Sequence, residues 1–184
     1  VLSVVRADGS VHVAHQSLAA RRANVVSEQD LQIADRGLFE IVATGKGGHA
    51  AMPYVTRDPM LFAAALINAL QTIVARNLHP LEGGVVSVTQ VHGGDTWNVI
   101  PQEVVLRGTV RSFVPSVQDT IERRIGEIVT GLAATFDMTA TLRYERRYPA
   151  TINTPEETRH ALAAATALLG AENVDTNPTP SMGS

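Results

Sequence analysis

Between Gly37 and Tyr144 the apolar residues switch repeatedly between a spacing of two and a spacing of three to four. No other feature constrains the fold as strongly. Phe39, Ile41 and Ala43 alternate with Glu40, Val42 and Thr44, as in a strand, and the glycines at 45, 47 and 48 close it. Asp58-Pro59 then opens a helix, with the carboxylate as N-cap and proline's fixed φ suited to the first helical position. Phe62, Leu66, Leu70, Ile73 and Val74 return at helical spacing, and the helix is expected to end near Asn77. Residues 85–91 and 104–111 read as a second and a third strand. They are joined by His92-Gly93-Gly94-Asp95-Thr96-Trp97-Asn98 and Val99-Ile100-Pro101. Ser116, with Asp119 three residues on, reads as a capping box for a second helix with the stripe Val117, Ile121, Ile125, Ile128, Leu132 and Phe136. Met138, Ala140, Leu142 and Tyr144 alternate with Thr139, Thr141, Arg143 and Glu145 in a fourth strand, and Thr154-Pro155-Glu156-Glu157 caps a third helix that stops at Gly170.

The order is β-α-β-β-α-β followed by a linker and a helix. One-sided alternation in the strands implies an antiparallel four-stranded sheet with two helices on one face, a ferredoxin-like α+β sandwich. That topology alone specifies no function. Residues 1–35, where Arg21, Arg22, Asn24, Ser27, Glu28, Gln29 and Asp30 crowd without periodicity, read as a poorly ordered leader. Residues 36–148 form the sandwich, and 149–184 a linker and returning helix.

Composition narrows the function classes. A net charge of −3 without a basic run, and 4 % aromatic residues, give neither the electrostatic stripe nor the stacking platform of a nucleic-acid binder. No apolar run approaches the roughly 20 residues that cross a bilayer, so no membrane partner is expected. The absence of cysteine excludes disulfides and thiolate metal sites, and it fits a cytoplasmic protein.

Three polar groupings stand at strand ends. Gly45-Lys46-Gly47-Gly48-His49-Ala50-Ala51-Met52-Pro53 is either a turn with an exposed histidine or a loop whose glycines let the backbone approach a ligand, with small Ala50 and Ala51 around His49. Trp97-Asn98-Val99-Ile100-Pro101 either plugs the end of the sheet or contacts a ligand. Arg107, Thr109 and Arg111 share one strand face, which is either a solvated surface or an arginine fork for a carboxylate.

The strings GKGGHAAMP, TRDP, SVTQVHGGDTWNVIPQEVVLRGTVRSF, RYPATINTP and NPTPSMGS, in this order over residues 35–184, resemble the dimerisation (lid) domain of the amidohydrolase branch of the M20 metallopeptidases. That branch includes hippurate hydrolases, N-acyl-amino-acid amidohydrolases and auxin-conjugate hydrolases. The resemblance implies hydrolysis of the amide bond of N-acyl amino acids or small peptides by a homodimer joined through its lid domains. It also implies two divalent metal ions (Zn, Co, Mn or Ni) held by a catalytic domain elsewhere in the full-length enzyme. None is expected to be bound by this chain, which should be inactive by itself. His49 matches a lid histidine that steadies the oxyanion in the partner's active site. Asn98 matches a substrate-contacting asparagine, and Arg111 a carboxylate-binding arginine. The competing expectation is a non-catalytic ferredoxin-like module for dimerisation or small-ligand binding.

Overall fold

The computed structural model describes residues 34–176 and 180–182, together with short strands at 3–5, 11–13, 23–24 and 32–33. The chain divides into two units, one of residues 34–150 and one of residues 1–33 with 151–184. Apart from its short strands, the leader expected to be poorly ordered lies outside the described residues up to Ala34.

In the first unit β1 (Arg36–Thr44), β2 (Gly84–His92), β3 (Glu103–Ser112) and β4 (Thr139–Tyr148) form an antiparallel sheet in the order β4-β1-β3-β2. The alternation in β1 and β3 turns Phe39, Ile41, Ala43, Val104, Leu106 and Val110 toward two helices, α1 (Pro59–Asn77) and α2 (Pro115–Thr135). The helices close the core with Phe62, Leu66, Leu70, Ile73, Val117, Ile121 and Ile125, all essentially inaccessible to solvent. Phe62 meets Phe136 edge-on, ring centres 6.1 Å apart. This is the expected ferredoxin-like α+β sandwich. The opposite face of the sheet carries Arg36, Leu38, Glu40, Arg107, Thr109 and Arg111 and is uncovered within this unit.

Asp58 caps α1 as its sequence requires: Oδ1 accepts the Met60 N–H at 2.8 Å, with Pro59 at the first position. At 19 residues and a mean hydropathy of 1.4, α1 is long and apolar enough to cross a membrane, which reading the sequence for apolar runs had not brought out. Its apolar face, however, is buried in the core against the sheet and α2.

The capping box expected at Ser116 is absent. The helix starts two residues earlier, with Val114 as N-cap, no side-chain cap bond and Pro115 at the first position, so the fixed φ of proline sets the start instead. The buried stripe also lies one residue from the expected one in its second half. Val129 and Ala133 continue the four-residue spacing of Val117, Ile121 and Ile125 into the core, and Ile128 and Leu132, which the expected stripe reaches by a three-residue step, are only partly covered. Asp137 ends the helix at φ 53. Its N–H donates to the Ala134 carbonyl at 3.3 Å and the Met138 N–H to that of Ala133 at 3.0 Å, the Schellman pattern with aspartate where glycine is usual.

In the second unit Ser3–Val5 pairs antiparallel with Val11–Val13, Gln32–Ile33 antiparallel with Thr151–Ile152, and Ala23–Asn24 parallel with Val174–Asp175. Its helix, α3 (Pro155–Leu169), follows Thr154 at the N-cap and stops at Gly170. The Thr154 hydroxyl donates to the Glu157 carboxylate rather than capping a backbone N–H.

Candidate functional site

Two loops that are distant in sequence meet at one end of the sheet. Gly48 pairs with Ile100 and His49 with Val99 in a short antiparallel ladder, and the Ala50 N–H donates to the Asn98 carbonyl at 2.9 Å. His49 and Asn98 therefore sit side by side on a backbone frame. The glycines of the first loop make room for the protein's own chain. A Cβ on Gly45 would stand 2.1 Å from the Arg57 carbonyl oxygen, and one on Gly47 2.7 Å from that of Ile100. At these two positions smallness is required by the approach of neighbouring backbone.

Gln102 locks this frame, a role the sequence did not suggest. Its amide Nε2 donates to the Gly45 carbonyl at 2.6 Å, its Oε1 accepts the Gly47 N–H at 2.9 Å, and its own carbonyl accepts the Gly45 N–H at 2.9 Å. Lys46 and Arg57 exchange two backbone hydrogen bonds of 2.9 Å, closing the loop at its base. Arg57 Nε also reaches Asp137 at 2.5 Å, tying the base to the end of α2.

The His49 side chain is exposed, and its Nδ1 accepts the Ala51 N–H at 3.1 Å. An Nδ1 that accepts is unprotonated, so the neutral ring carries its proton on Nε2 and presents that nitrogen as a donor. Asn98 is exposed, and its carboxamide makes no hydrogen bond among the described residues. Trp97 is fully exposed and plugs nothing; Tyr54 and Met52, just beyond His49, are exposed as well. A groove of about 1000 Å³ beside the ladder is lined by Gly47, Gly48, His92, Asp95, Pro101 and Glu103, but His49 and Asn98 stand outside it.

Arg111 is elsewhere. It lies near the far end of β3, eight residues beyond Glu103, a separation of about 26 Å along extended chain. A single chain thus brings His49 and Asn98 together and leaves Arg111 at the opposite end of the open face. Among the described residues no three His, Asp or Glu side chains converge where they could hold a metal ion, so none of them fits the pair of ions the resemblance implies.

The peptidase dimerisation domain of the M20 family matches residues 36–137. The N-acetyl-L-cysteine deacetylase of Bacillus subtilis is 40 % identical over 115 residues, covering 62 % of this chain and 28 % of the deacetylase. IAA-amino acid hydrolase ILR1-like 2 of Arabidopsis thaliana is 36 % identical over 144 residues, 76 % of this chain and 32 % of that enzyme. The crystal structure of an aminohydrolase from methicillin-resistant Staphylococcus aureus superimposes with a TM-score of 0.73 at 32 % identity, over 89 % of this chain and 42 % of that one. The chain belongs to the M20 peptidase/amidohydrolase family and carries its dimerisation domain. It spans about a third of the length of the curated relatives it matches.

Proposed function

We propose that this domain is the lid of a dimeric, metal-dependent amidohydrolase acting on N-acyl amino acids, and that it contributes substrate-binding and oxyanion-stabilising groups to a catalytic site formed by other parts of the enzyme. The relatives' names, a deacetylase of an N-acyl amino acid and a hydrolase of amino-acid conjugates, support the substrate class. One observation carries the reading: a backbone ladder holds the His49 and Asn98 segments together, with His49 Nε2 open to donate and the Asn98 carboxamide making no hydrogen bond among the described residues.

Amide hydrolysis builds negative charge on the carbonyl oxygen as the attacked carbon becomes tetrahedral. A neutral imidazole that donates from Nε2 stabilises that charge more than it stabilises the ground-state carbonyl, which lowers the barrier. Asn98 orients the substrate beside it, and Arg111 takes the substrate's carboxylate. Because Arg111 stands so far from His49 within one chain, the two serve one substrate only if a second copy takes part, each reaching a different active site. The metal ligands are assigned to none of the described residues.

In the enzyme that joins this lid to its catalytic domain, His49→Ala should lower kcat about 10²–10³-fold with metal content and dimerisation unchanged. Asn98→Ala should give a smaller loss. Normal turnover by a folded, metal-loaded His49→Ala dimer overturns the oxyanion role. The 184-residue chain alone should hydrolyse no N-acyl amino acid and bind no stoichiometric zinc, cobalt or manganese, checked by metal analysis beside a turnover assay.

A further inference from the structure

We propose that Arg36 and Arg111 together form a carboxylate clamp on the open face of the sheet, with Arg36 as its second arm. The inference rests on the reading of Arg111 given above and extends it to a residue no motif marks. The last register pair between β1 and β3 is Gly37 with Val110. The ladder continues past it, since the Asp35 N–H donates to the Ser112 carbonyl at 2.8 Å and the Ser112 N–H to Asp35 Oδ1 at 2.8 Å. Arg36 and Arg111 therefore stand directly opposite each other, and strand alternation turns both to the face away from the helices.

Like charges directly across a ladder repel. Elsewhere on this face arginines are neutralised: Arg107 by Glu40 at 2.6 Å, and Arg147 and Arg143 by Glu145 at 2.9 and 3.8 Å. Arg36 and Arg111 have no ion pair among the described residues. Arg36 Nε and Arg111 Nη1 are moreover shielded from solvent without a hydrogen-bond partner. Two facing cations with a buried, unused donor each form an arrangement that an anion completes. Both line a cleft of about 510 Å³ on the open face. Glu40 and Glu145 line the same cleft, which disfavours a dianion. A monoanion with two oxygens, able to accept from both guanidinium groups, fits: the carboxylate of a small N-acyl amino acid.

The test is a titration of the ¹⁵N-labelled 184-residue chain with N-acetylglycine at constant ionic strength, following the arginine Nε–H resonances. A saturable shift is expected with N-acetylglycine and none with N-acetylglycinamide, which lacks the charge. Arg36→Gln and Arg111→Gln should each weaken binding about tenfold or more, and Arg36→Lys, which keeps the charge without the planar fork, should fall between. Arg76→Gln removes the same charge from an exposed position on α1, outside the cleft, and should stay within about twofold of the parent. Absence of a saturable shift in the parent chain overturns the clamp, whereas the reading of Arg111 falls only if Arg111→Gln leaves KM unchanged in the enzyme that joins this lid to its catalytic domain. Loss in Arg111→Gln with unchanged binding in Arg36→Gln removes Arg36 alone. Equal loss in Arg76→Gln overturns the clamp in favour of general charge, and tighter binding of inorganic phosphate overturns the carboxylate assignment.

Discussion

At the residue scale the informative groups are those whose hydrogen bonds are settled on one side only. The Ala51 N–H occupies Nδ1 of His49 and leaves Nε2 as the nitrogen open to a ligand. Tyr144 is the converse case. It packs against the core, where its hydroxyl is buried and bonds nothing among the described residues. Burial first, and then the charges of Glu122 and Asp35, push its phenol well above the ordinary tyrosine range. A native pKa above the unfolded value means that the contribution to stability is complete below about pH 10 and is lost as pH rises beyond it. Tyr144→Phe removes the unused hydroxyl and keeps the ring. It should leave thermal stability at neutral pH unchanged or raise it by about 1 kcal/mol, and it should unfold at higher pH than the parent. A clear drop in melting temperature would mean that the hydroxyl has a partner.

At the element scale the strands and helices were legible because each carries its own period. Phe39, Ile41 and Ala43 specify which side of β1 is buried without reference to any other segment, and Asp58-Pro59 specifies where α1 begins. What depends on two distant segments was not legible. Nothing local to Gln102 announces that its amide spans Gly45 and Gly47, and nothing near Arg36 announces Arg111. Both depend on strand register, which arises only when the sheet assembles. Of the three candidate residues, the resemblance marked His49, Asn98 and Arg111 one by one, but only the ladder from Gly48 to Ile100 puts His49 beside Asn98 and away from Arg111. The end of α2 was bracketed by Phe136 and Met138, but its manner was not legible, since aspartate at 137 occupies a left-handed position that sequence assigns to glycine. The lock by Gln102 makes a testable element of the loop. Gln102→Ala removes two side-chain hydrogen bonds, each contributing about 1 kcal/mol. Hydrogen exchange at the Gly47 amide should speed up about tenfold or more, while amides of β1 and α1 keep their protection. Unchanged exchange at Gly47 would show that the backbone ladder alone holds the loop.

At the scale of the whole molecule, the sheet has two free edges that differ in chemistry. β4 ends in Arg143, Glu145, Arg146 and Arg147, the kind of charged border that keeps an edge strand from pairing with another chain. β2, Gly-Val-Val-Ser-Val-Thr-Gln-Val-His, carries no acidic or basic side chain other than His92 along its whole length. The apolar side chains of Met60 and Leu61 at the start of α1 are exposed as well, and α1 is the helix that packs most on β2. A dimerisation domain of this family should therefore pair through β2 and α1, joining two four-stranded sheets into one across a twofold axis, with the same patch used by both copies. Because the axis doubles every substitution, Ser87→Lys on β2 would set like charges near each other where the two edges meet. It should weaken self-association at least about tenfold, measured by light scattering or sedimentation, with the circular dichroism of the monomer unchanged. Arg147→Ser on β4 should leave association within about twofold. If Arg147→Ser dissociates the dimer and Ser87→Lys does not, the pairing edge is β4. A chain that stays monomeric at high micromolar concentration lacks a self-sufficient interface at either edge.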